Sequence, residues 1–296
     1  MNIGITGASG FIGKHVAAAA RAGGHRTVAY SRHPKPNSAF DEMRSLAEIK
    51  TADFTGLDAI IHLAGEPVLG LWTASKKDAI RRSRVNATCD LVNRLRGMPS
   101  PPRTFICASG MAFYGDAGDE VLTESSPSGE GFLAEVSRAW EAAAAEAADF
   151  ARVVSLRTPM VLGPDGGPAV MLRRVFKLGI GGRLGSGKQW TSWIHVQDLA
   201  RLYILACENE TLTGPANATA PVPATNLEFT AAIAKAVHRP AIFPVPAFAL
   251  KLLPGGISEI FLQSQRAIPA AATAAGFTWL HPDLRATARE VFADEK

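Results

Sequence analysis

The stretch Ile3-Gly4-Ile5-Thr6-Gly7-Ala8-Ser9-Gly10-Phe11-Ile12-Gly13 decides the fold of this 296-residue chain. It begins as a short apolar strand and continues into three regularly spaced glycines, and helix formers follow at 14–22. Thr27-Val28-Ala29-Tyr30 then predicts a second strand. In such a βαβ unit the glycine turn and the helix N-terminus present backbone N–H groups that attract a phosphate. The stretch therefore predicts a nucleotide-binding Rossmann unit.

The same alternation of strand and helix continues along the chain. Apolar runs at 59–63, 104–107 and 153–157 suit strands that are covered on both faces, and helices are expected at about 74–96 and 132–149. Strands that alternate with helices in this way indicate a parallel sheet. We therefore predict an α/β fold with a doubly wound parallel sheet.

The texture of the chain changes after this alternation. Glycine and proline become frequent, notably at 179–187 and 215–223, and they break long elements. We predict a dinucleotide-binding Rossmann domain over 1–165, with a later strand and helix contribution near 190–220. Residues 166–296 are expected to form a smaller C-terminal substrate lobe of short helices and loops.

The composition excludes several classes of protein. Hydrophobic residues make up 47% of the chain and charged residues 20%, which is typical of a folded globular protein, and the net charge of +4 is mild. Neither a nucleic-acid-binding motif nor a bilayer-length apolar run is present. The three cysteines show no metal-ligand spacing. We expect a cytoplasmic protein, since the chain opens directly on a strand, and no resident metal, nucleic acid or membrane partner.

The end of the second strand indicates which dinucleotide is bound. No Asp or Glu is present there to hold a ribose 2′-hydroxyl. Arg32 instead offers a planar cation for adenine and a 2′-phosphate, Ser31 offers a hydroxyl and Lys35 adds charge. The alternative is that Arg32 and Lys35 are ordinary loop charges. We predict NADP(H) as the cofactor.

Further motifs resemble the extended branch of the short-chain dehydrogenase/reductase superfamily. They are the glycine spacing, His62-Leu63-Ala64-Gly65, Val85-Asn86-Ala87-Thr88, Leu156-Arg157-Thr158-Pro159 and Trp193-Ile194-His195-Val196-Gln197-Asp198. The resemblance implies a cofactor site made of Gly7, Ser9, Gly10, Phe11, Ile12, Gly13, Ser31, Arg32, Leu63, Ala64, Gly65, Arg157 and Pro159.

A narrower resemblance covers almost the whole chain. Leu63-Ala64-Gly65-Glu66, Trp140-Glu141-Ala142-Ala143 and Gly185-Ser186-Gly187-Lys188-Gln189 are similar to the atypical extended branch, an NAD-dependent epimerase/dehydratase-like family that includes SDR39U1-type and YfcH-type proteins. That family has its own C-terminal module, which residues from about 239 to 290 resemble. Its substrate is not established, so the resemblance implies fold and cofactor rather than a reaction.

The usual catalytic pair of the superfamily is missing. Most members use a Tyr-x-x-x-Lys pair, in which the lysine lowers the pKa of the tyrosine so that it exchanges a proton as hydride moves. The chain has three tyrosines, and none is followed by a lysine at the fourth position. Alignment on Trp140 places Leu133 and Ser137 where the pair would stand.

Three residues remain as catalytic candidates. Ser109, in a loop that resembles the catalytic-serine loop of the family, can hydrogen-bond a substrate carbonyl. Tyr114 would act as an acid if its hydroxyl pointed into the cleft, and otherwise it packs beneath the nicotinamide or against the substrate. Glu66 is either a general base or a partner in a cap or salt bridge.

The loop at 185–193 is a candidate substrate lid. Lys188, Gln189 and Trp193 combine a cation, an amide and an aromatic ring on a flexible backbone, which would suit a small polar substrate. Aromatic residues in such a loop equally often fill the core. His195 is expected to be a hydrogen-bonded core residue.

Two functions fit these observations. The first is an NADP(H)-dependent oxidoreductase or epimerase-like enzyme acting on a small polar molecule, with Ser109 and the cofactor supplying most of the chemistry. The second is an NADP(H)-sensing or regulatory protein that has lost catalysis, which would explain the missing pair. The family resemblance also implies a homodimer formed through the helices near 74–96 and 132–149.

Overall fold

The computed structural model describes residues 1–34 and 37–293, and its strands are short. The strands are β1 Asn2–Thr6, β2 Arg26–Ser31, β3 Glu42–Ser45, β4 Ala59–His62, β5 Thr104–Gly110, β6 Val121–Leu122, β7 Arg152–Thr158, β8 Met160–Leu162, β9 Trp190–Thr191, β10 Trp193–His195, β11 Gly214–Asn217, β12 Ala224–Thr225 and β13 Arg266–Ala267.

The helices lie between these strands and dominate the C-terminal part. They are α1 Phe11–Ala22, α2 Ala74–Arg81, α3 Ala87–Arg96, α4 Phe132–Ala145, α5 Pro168–Lys177, α6 Val196–Glu208, α7 Asn226–Ala236, α8 Ala247–Lys251, α9 Glu259–Leu262, α10 Ala270–Ala274 and α11 Leu284–Phe292. Within the described residues, no helix is both long and apolar enough to cross a bilayer.

The central sheet confirms the predicted fold class. In the part of the chain that the structure describes, it has seven strands in the order β11-β7-β5-β4-β1-β2-β3, and each neighbouring pair is parallel. The chain runs outward in one direction from β1 to β3 and in the other from β4 to β11. The order therefore reverses between β1 and β4, where doubly wound sheets bind their ligands.

Helices cover both faces of this sheet, as the uninterrupted apolar strands predict. On one face α1 and α6 pack together, and Ile3 and Ile5 of β1 share a buried cluster with Leu199 and Tyr203 of α6. On the other face α3 and α4 bury Leu91 and Trp140 against β4 and β5. Both faces of the strands are thereby removed from water.

One helix differs from the sequence-based expectation, whereas β11 lies where a later strand is expected, near 190–220. The helix predicted over 74–96 is interrupted by a π-helical turn at Arg82–Asn86, and such turns often occur at functional sites. The proline-rich stretch that begins at Pro215 contains the sheet strand β11. Proline is tolerated there because β11 lies at the edge of the sheet, where its missing N–H costs no ladder bond.

The C-terminal segment packs back onto the nucleotide-binding half. β13 pairs in parallel with β6, and α11 packs on α7. The carboxylate of Asp198, which is fully buried at the start of α6, accepts the backbone N–H groups of Leu280 and His281 at 2.9 and 2.8 Å. These contacts bring residues far apart in sequence to the same side of the sheet.

Candidate functional site

The glycine loop after β1 adopts a conformation that glycine alone allows easily. Gly7 has a φ of +69°, and its carbonyl accepts the N–H of Gly10 at 3.0 Å. A Cβ at Gly13 would lie 2.7 Å from the Cα of Ala8 and closer still to the carbonyl oxygen of Gly7. The loop is therefore held tightly against the start of α1, with its backbone open to the carboxyl edge of the sheet.

A cavity of about 870 Å³ opens at this edge, where β1, β4, β5 and β7 end. Of the residues that the sequence assigned to the cofactor, those that line it are Gly7, Gly10, Phe11, Ile12, Gly13, Leu63, Gly65 and Pro159. Ser9, Ser31, Arg32 and Ala64 lie outside the cavity lining. The glycine loop and the ends of β4 and β7 are thus brought together, as the order of the strands requires.

The residues expected to select the 2′-phosphate lie at the end of β2. Arg32 is exposed to solvent, and the hydroxyl of Ser31 accepts the N–H of His33 at 3.3 Å. Lys35 lies outside the described residues. Arg32 is therefore free in space to approach a ligand that extends from the glycine loop past the end of β2.

Arg157 occupies a different position from the one that the sequence indicated. Its side chain is 3% exposed and forms a two-point ion pair with Glu141, with both N–O distances at 2.9 Å. A further N–H group donates to the Tyr114 hydroxyl at 2.7 Å. The guanidinium is thus held by protein groups and does not line the cavity. The expected contact between the Arg157 side chain and the cofactor is therefore not supported, because the guanidinium donors point into the core.

Tyr114 is also directed into the core. Its hydroxyl donates to the side-chain oxygen of Asn217 at 2.7 Å and lies 2.9 Å from the carbonyl of Thr123, and the residue is 2% exposed. Burial raises the pKa of Tyr114 above its ordinary value, although Arg157 opposes the change. Of the two roles left open by the sequence, the acid role is contradicted, because the hydroxyl does not face the cavity.

Ser109 is the catalytic candidate whose position suits its role. It lies near the carboxyl end of β5, lines the cavity, and donates its hydroxyl proton to Oε1 of Glu141 at 2.6 Å. Glu141 is in turn oriented by Arg157. Ser109, Glu141, Arg157, Tyr114 and Asn217 therefore form one continuous hydrogen-bonded chain that runs from the cavity wall into the core.

Glu141 was missed as a functional residue, although the sequence contains a signal for it. Leu133 and Ser137, which stand where the family's pair would be, both line the cavity. Glu141 follows Ser137 by four positions on α4 and so lies on the same helical face. The periodicity of the helix could have placed this carboxylate beside the serine loop.

Glu66 lines the cavity but is engaged in an ion pair. Its Oε1 lies 2.6 Å from the ammonium group of Lys76, and its side chain is 40% exposed. The hydrogen bond from Lys76 lowers the pKa of Glu66 below its ordinary value. The salt-bridge role left open by the sequence is therefore present, and the low pKa makes this carboxylate a weak proton acceptor.

The three side chains of the loop at 185–193 that were expected to meet the substrate lie outside the cavity lining. Lys188 is exposed outside the cavity lining, and the amide of Gln189 donates to the carbonyls of Leu184 and Phe261. Trp193 is 1% exposed and donates to the carbonyl of Val222 at 3.2 Å. The alternative of a core-filling aromatic is correct for Trp193, and the expectation of a polar substrate loses the residues on which it rested.

Other residues of this candidate lid do line the cavity, together with a residue of the C-terminal segment that was not predicted. Trp190 and Ser192 contribute to its wall, and Glu259 reaches it from α9 in the C-terminal segment. Burial raises the pKa of Glu259, although Lys77 opposes the change, and Oε2 is buried without a hydrogen-bond partner among the described residues. Nothing in the local sequence indicates this position, because it arises from the packing of α9 near the start of α4.

Apolar side chains of later helices form another part of the cavity lining. Met171 and Phe176 of α5, Phe229 and Ile233 of α7, and Phe261 of α9 all line the cavity. None of these helices belongs to the glycine-loop region. The cavity therefore has a backbone-rich side at the strand ends and an apolar side made by the later helices.

Comparison with protein families matches the chain in two parts. Residues 3–217 match the NAD dependent epimerase/dehydratase family. Residues 245–291 match a domain of unknown function, DUF1731. The two matches leave a short connection between them, which contains α7.

Individual relatives match over nearly the whole chain. Epimerase family protein YfhF of Bacillus subtilis is 34% identical, over 100% of this chain and 99% of its own. The chloroplastic SDR39U1 homolog of Arabidopsis thaliana is also 34% identical, over 98% of this chain and 86% of its own. The crystal structure of human SDR39U1 with NADPH superposes with a TM-score of 0.92 at 31% identity, covering 99% of each chain.

Proposed function

This chain belongs to the NAD dependent epimerase/dehydratase family, and from this premise we propose that it is an NADP(H)-dependent oxidoreductase or epimerase-like enzyme acting on a small molecule. The single observation that carries the proposal is the hydrogen bond from Ser109, on the cavity wall, to the carboxylate of Glu141, whose side chain is 14% exposed. This bond joins the place where a substrate oxygen would lie to a group that can take a proton.

The glycine loop fits the proposed cofactor. Gly7, Gly10 and Gly13 line the cavity, and a Cβ at Gly7 or Gly13 would meet backbone atoms, so the loop permits the close approach that a pyrophosphate needs. Arg32 would hold the 2′-phosphate from the end of β2. When bound there, NADP(H) supplies the hydride donor or acceptor. The NADPH bound to human SDR39U1 supports this assignment.

Ser109 and Glu141 can replace the missing Tyr-x-x-x-Lys pair in proton transfer. When the substrate is an alcohol, its hydroxyl would donate to Oγ of Ser109, while the serine proton passes to Oε1 of Glu141. Reduction of a carbonyl reverses both transfers and starts from Glu141 that has taken up a proton from solvent. Arg157 holds the carboxylate by two charge-assisted hydrogen bonds, so Glu141 stays aimed at Ser109 throughout.

A single-turnover experiment with matched variants tests this function. Protein preloaded with NADPH is mixed with a panel of aldehydes and ketones, and oxidation is followed by the nicotinamide absorbance. Ser109→Ala and Glu141→Gln should each slow the step about 100-fold or more, which is the usual contribution of acid–base catalysis. Ser137→Ala is the control, because Ser137 is also buried and lines the cavity.

The same measurements give the result that would overturn the proposal. If the three variants were all as fast as the parent chain, the Ser109–Glu141 path would be wrong. If NADPH bound but no compound oxidised it above background, the enzymatic function itself would be rejected.

A second function is favoured by one observation. Leu133 and Ser137 occupy the cavity wall where the family's proton-transferring pair would stand. We propose as the alternative a regulatory protein that binds NADP(H) without turnover. It would show different protease protection with NADP⁺ and with NADPH, and identical protection patterns would remove it.

A further inference from the structure

We propose that the substrate is a hydrophobic carbonyl compound, or the corresponding alcohol, and not a sugar nucleotide or another anion. This inference rests on the proposed function, because it identifies the class of molecule that reaches Ser109. It replaces the small polar substrate that the sequence suggested. We call the part of the cavity lining that is formed by Met171, Phe176, Phe229, Ile233, Leu250 and Phe261 the apolar chamber.

The apolar chamber is built by elements that take no part in the glycine loop. Its walls come from α5, α7, α8 and α9. Part of this wall is matched by the C-terminal module at 245–291, whereas the glycine loop lies in the part matched at 3–217. The chamber is therefore built by later segments of the chain than the glycine loop, and its chemistry reports on the second ligand.

The charged groups of the cavity lining argue against an anionic substrate. Among the described residues that line it, the charged side chains are Glu66, Arg84 and Glu259. Arg84 donates to the backbone carbonyls of Glu66 and Ile80, which places it at the end of β4 beside the glycine loop. Arg84 also lies over the ring of Trp140 on α4, 5.2 Å from its centroid, and none of these contacts is with α5, α7, α8 or α9.

The other two groups offer an anion no cationic partner. Glu66 is already paired with Lys76, and Glu259 brings a carboxyl group into the lining from α9. A pyrophosphate or carboxylate placed against α5 and α7 would lose its hydration without gaining a cationic partner, which is costly. An uncharged apolar molecule pays no such cost and gains from burial against these walls.

Methionine contributes adaptability to the cavity lining as a whole. Met111, Met160 and Met171 all line the cavity, and the unbranched, polarisable methionine side chain adjusts to ligands of different shape. We therefore assign a class of substrates that share a hydrophobic body and one carbonyl group. The carbonyl would lie at Ser109 and the body in the apolar chamber.

A binding experiment without turnover tests this inference. The probes are a series of 2-alkanones of increasing length, which compete with the neutral dye Nile red for the protein loaded with NADP⁺. Each added methylene should tighten binding by about fourfold until the chamber is filled. UDP-glucose should not displace the dye.

Two matched variants locate the site. Met171→Glu adds a negative charge to the chamber at a side chain that is 47% exposed, and should weaken 2-alkanone binding at least about tenfold. Leu178→Glu makes the same change at a residue that is 75% exposed and outside the cavity lining, and should leave binding unchanged. NADPH affinity should be the same in both variants.

The outcomes separate the two proposals. Displacement by UDP-glucose, no dependence on alkanone length, or equal effects of the two variants would overturn the assigned substrate class, even if NADPH binds. Failure of NADPH to bind, with 2-alkanones still bound in the chamber, would instead overturn the proposed function.

Discussion

Replacing Arg157 by methionine should strongly destabilise the fold, because it leaves a carboxylate without its partner. The guanidinium is 3% exposed and the Glu141 side chain 14% exposed, and two N–O contacts of 2.9 Å join them. Methionine keeps much of the volume but supplies no donor. Removing one partner of a buried pair typically costs about 3–5 kcal/mol. Tyr114 also loses the N–H group that now reaches its hydroxyl at 2.7 Å.

The melting temperature provides the assay for this loss. For 296 residues, an unfolding entropy of about 2.1 cal/mol/K per residue converts 3–5 kcal/mol into a fall of about 5–8 °C. The double variant Arg157→Met with Glu141→Leu removes the stranded charge and should recover most of the loss. A single variant that loses less than about 1 kcal/mol, or a double variant less stable than the single one, would refute this account of the pair.

Three further predictions concern the cofactor loop and a buried histidine. Arg32→Ala should weaken NADPH binding about 10- to 100-fold and leave the affinity for NADH unchanged, since hydrogen bonds to charged groups contribute about 1.5–3 kcal/mol. Equal losses of affinity for both cofactors would contradict a contact between Arg32 and the 2′-phosphate. Gly13→Ala should destabilise the fold by about 1–3 kcal/mol and weaken the binding of both cofactors, because the new Cβ would lie 2.7 Å from the Cα of Ala8. Unchanged calorimetric unfolding curves and unchanged binding curves would count against this close packing. Burial lowers the pKa of His62 to about 4, below its ordinary value of 6.5, so the unfolded chain takes up the proton first as the pH falls. The free energy of unfolding should therefore drop by about 3 kcal/mol between pH 7 and pH 4, and His62→Gln should reduce that drop in urea titrations. Identical pH profiles for the two proteins would refute this role of His62.

The loop that carries Ser109 lies where the family resemblance predicts it, but the hydrogen-bond partner of the serine is different. The serine remains at the end of β5, beside the cavity, as the family resemblance implies. Its hydrogen-bond partner is the carboxylate of Glu141 on α4. The helix that usually supplies tyrosine and lysine therefore still faces the serine, but it offers a different titratable group.

The roles of polar residues were harder to predict than their positions along the strands. Arg157 and Tyr114 lie in segments that resemble cofactor- and substrate-facing motifs, yet both side chains point into the core. Side chains alternate between the two faces of a strand, and the local pattern of a buried parallel strand does not show which polar residue is paired internally. The orientation of Arg157 and Tyr114 is decided by their hydrogen-bond partners, Glu141 on α4 and Asn217 on β11.

The glycine stretch and the strand–helix alternation were sufficient to predict the sheet and the glycine loop, because these depend on local conformation and on spacing that recurs along the chain. The family was indicated by the resemblance of further motifs along the chain. The tertiary structure alone decided that Glu141 holds Ser109, that Lys188 and Gln189 lie away from the cavity lining, and that Glu259 reaches it. The local sequence pattern determines which face of a helix or strand is buried. The residues that line a cavity depend instead on which elements, distant in sequence, pack around it.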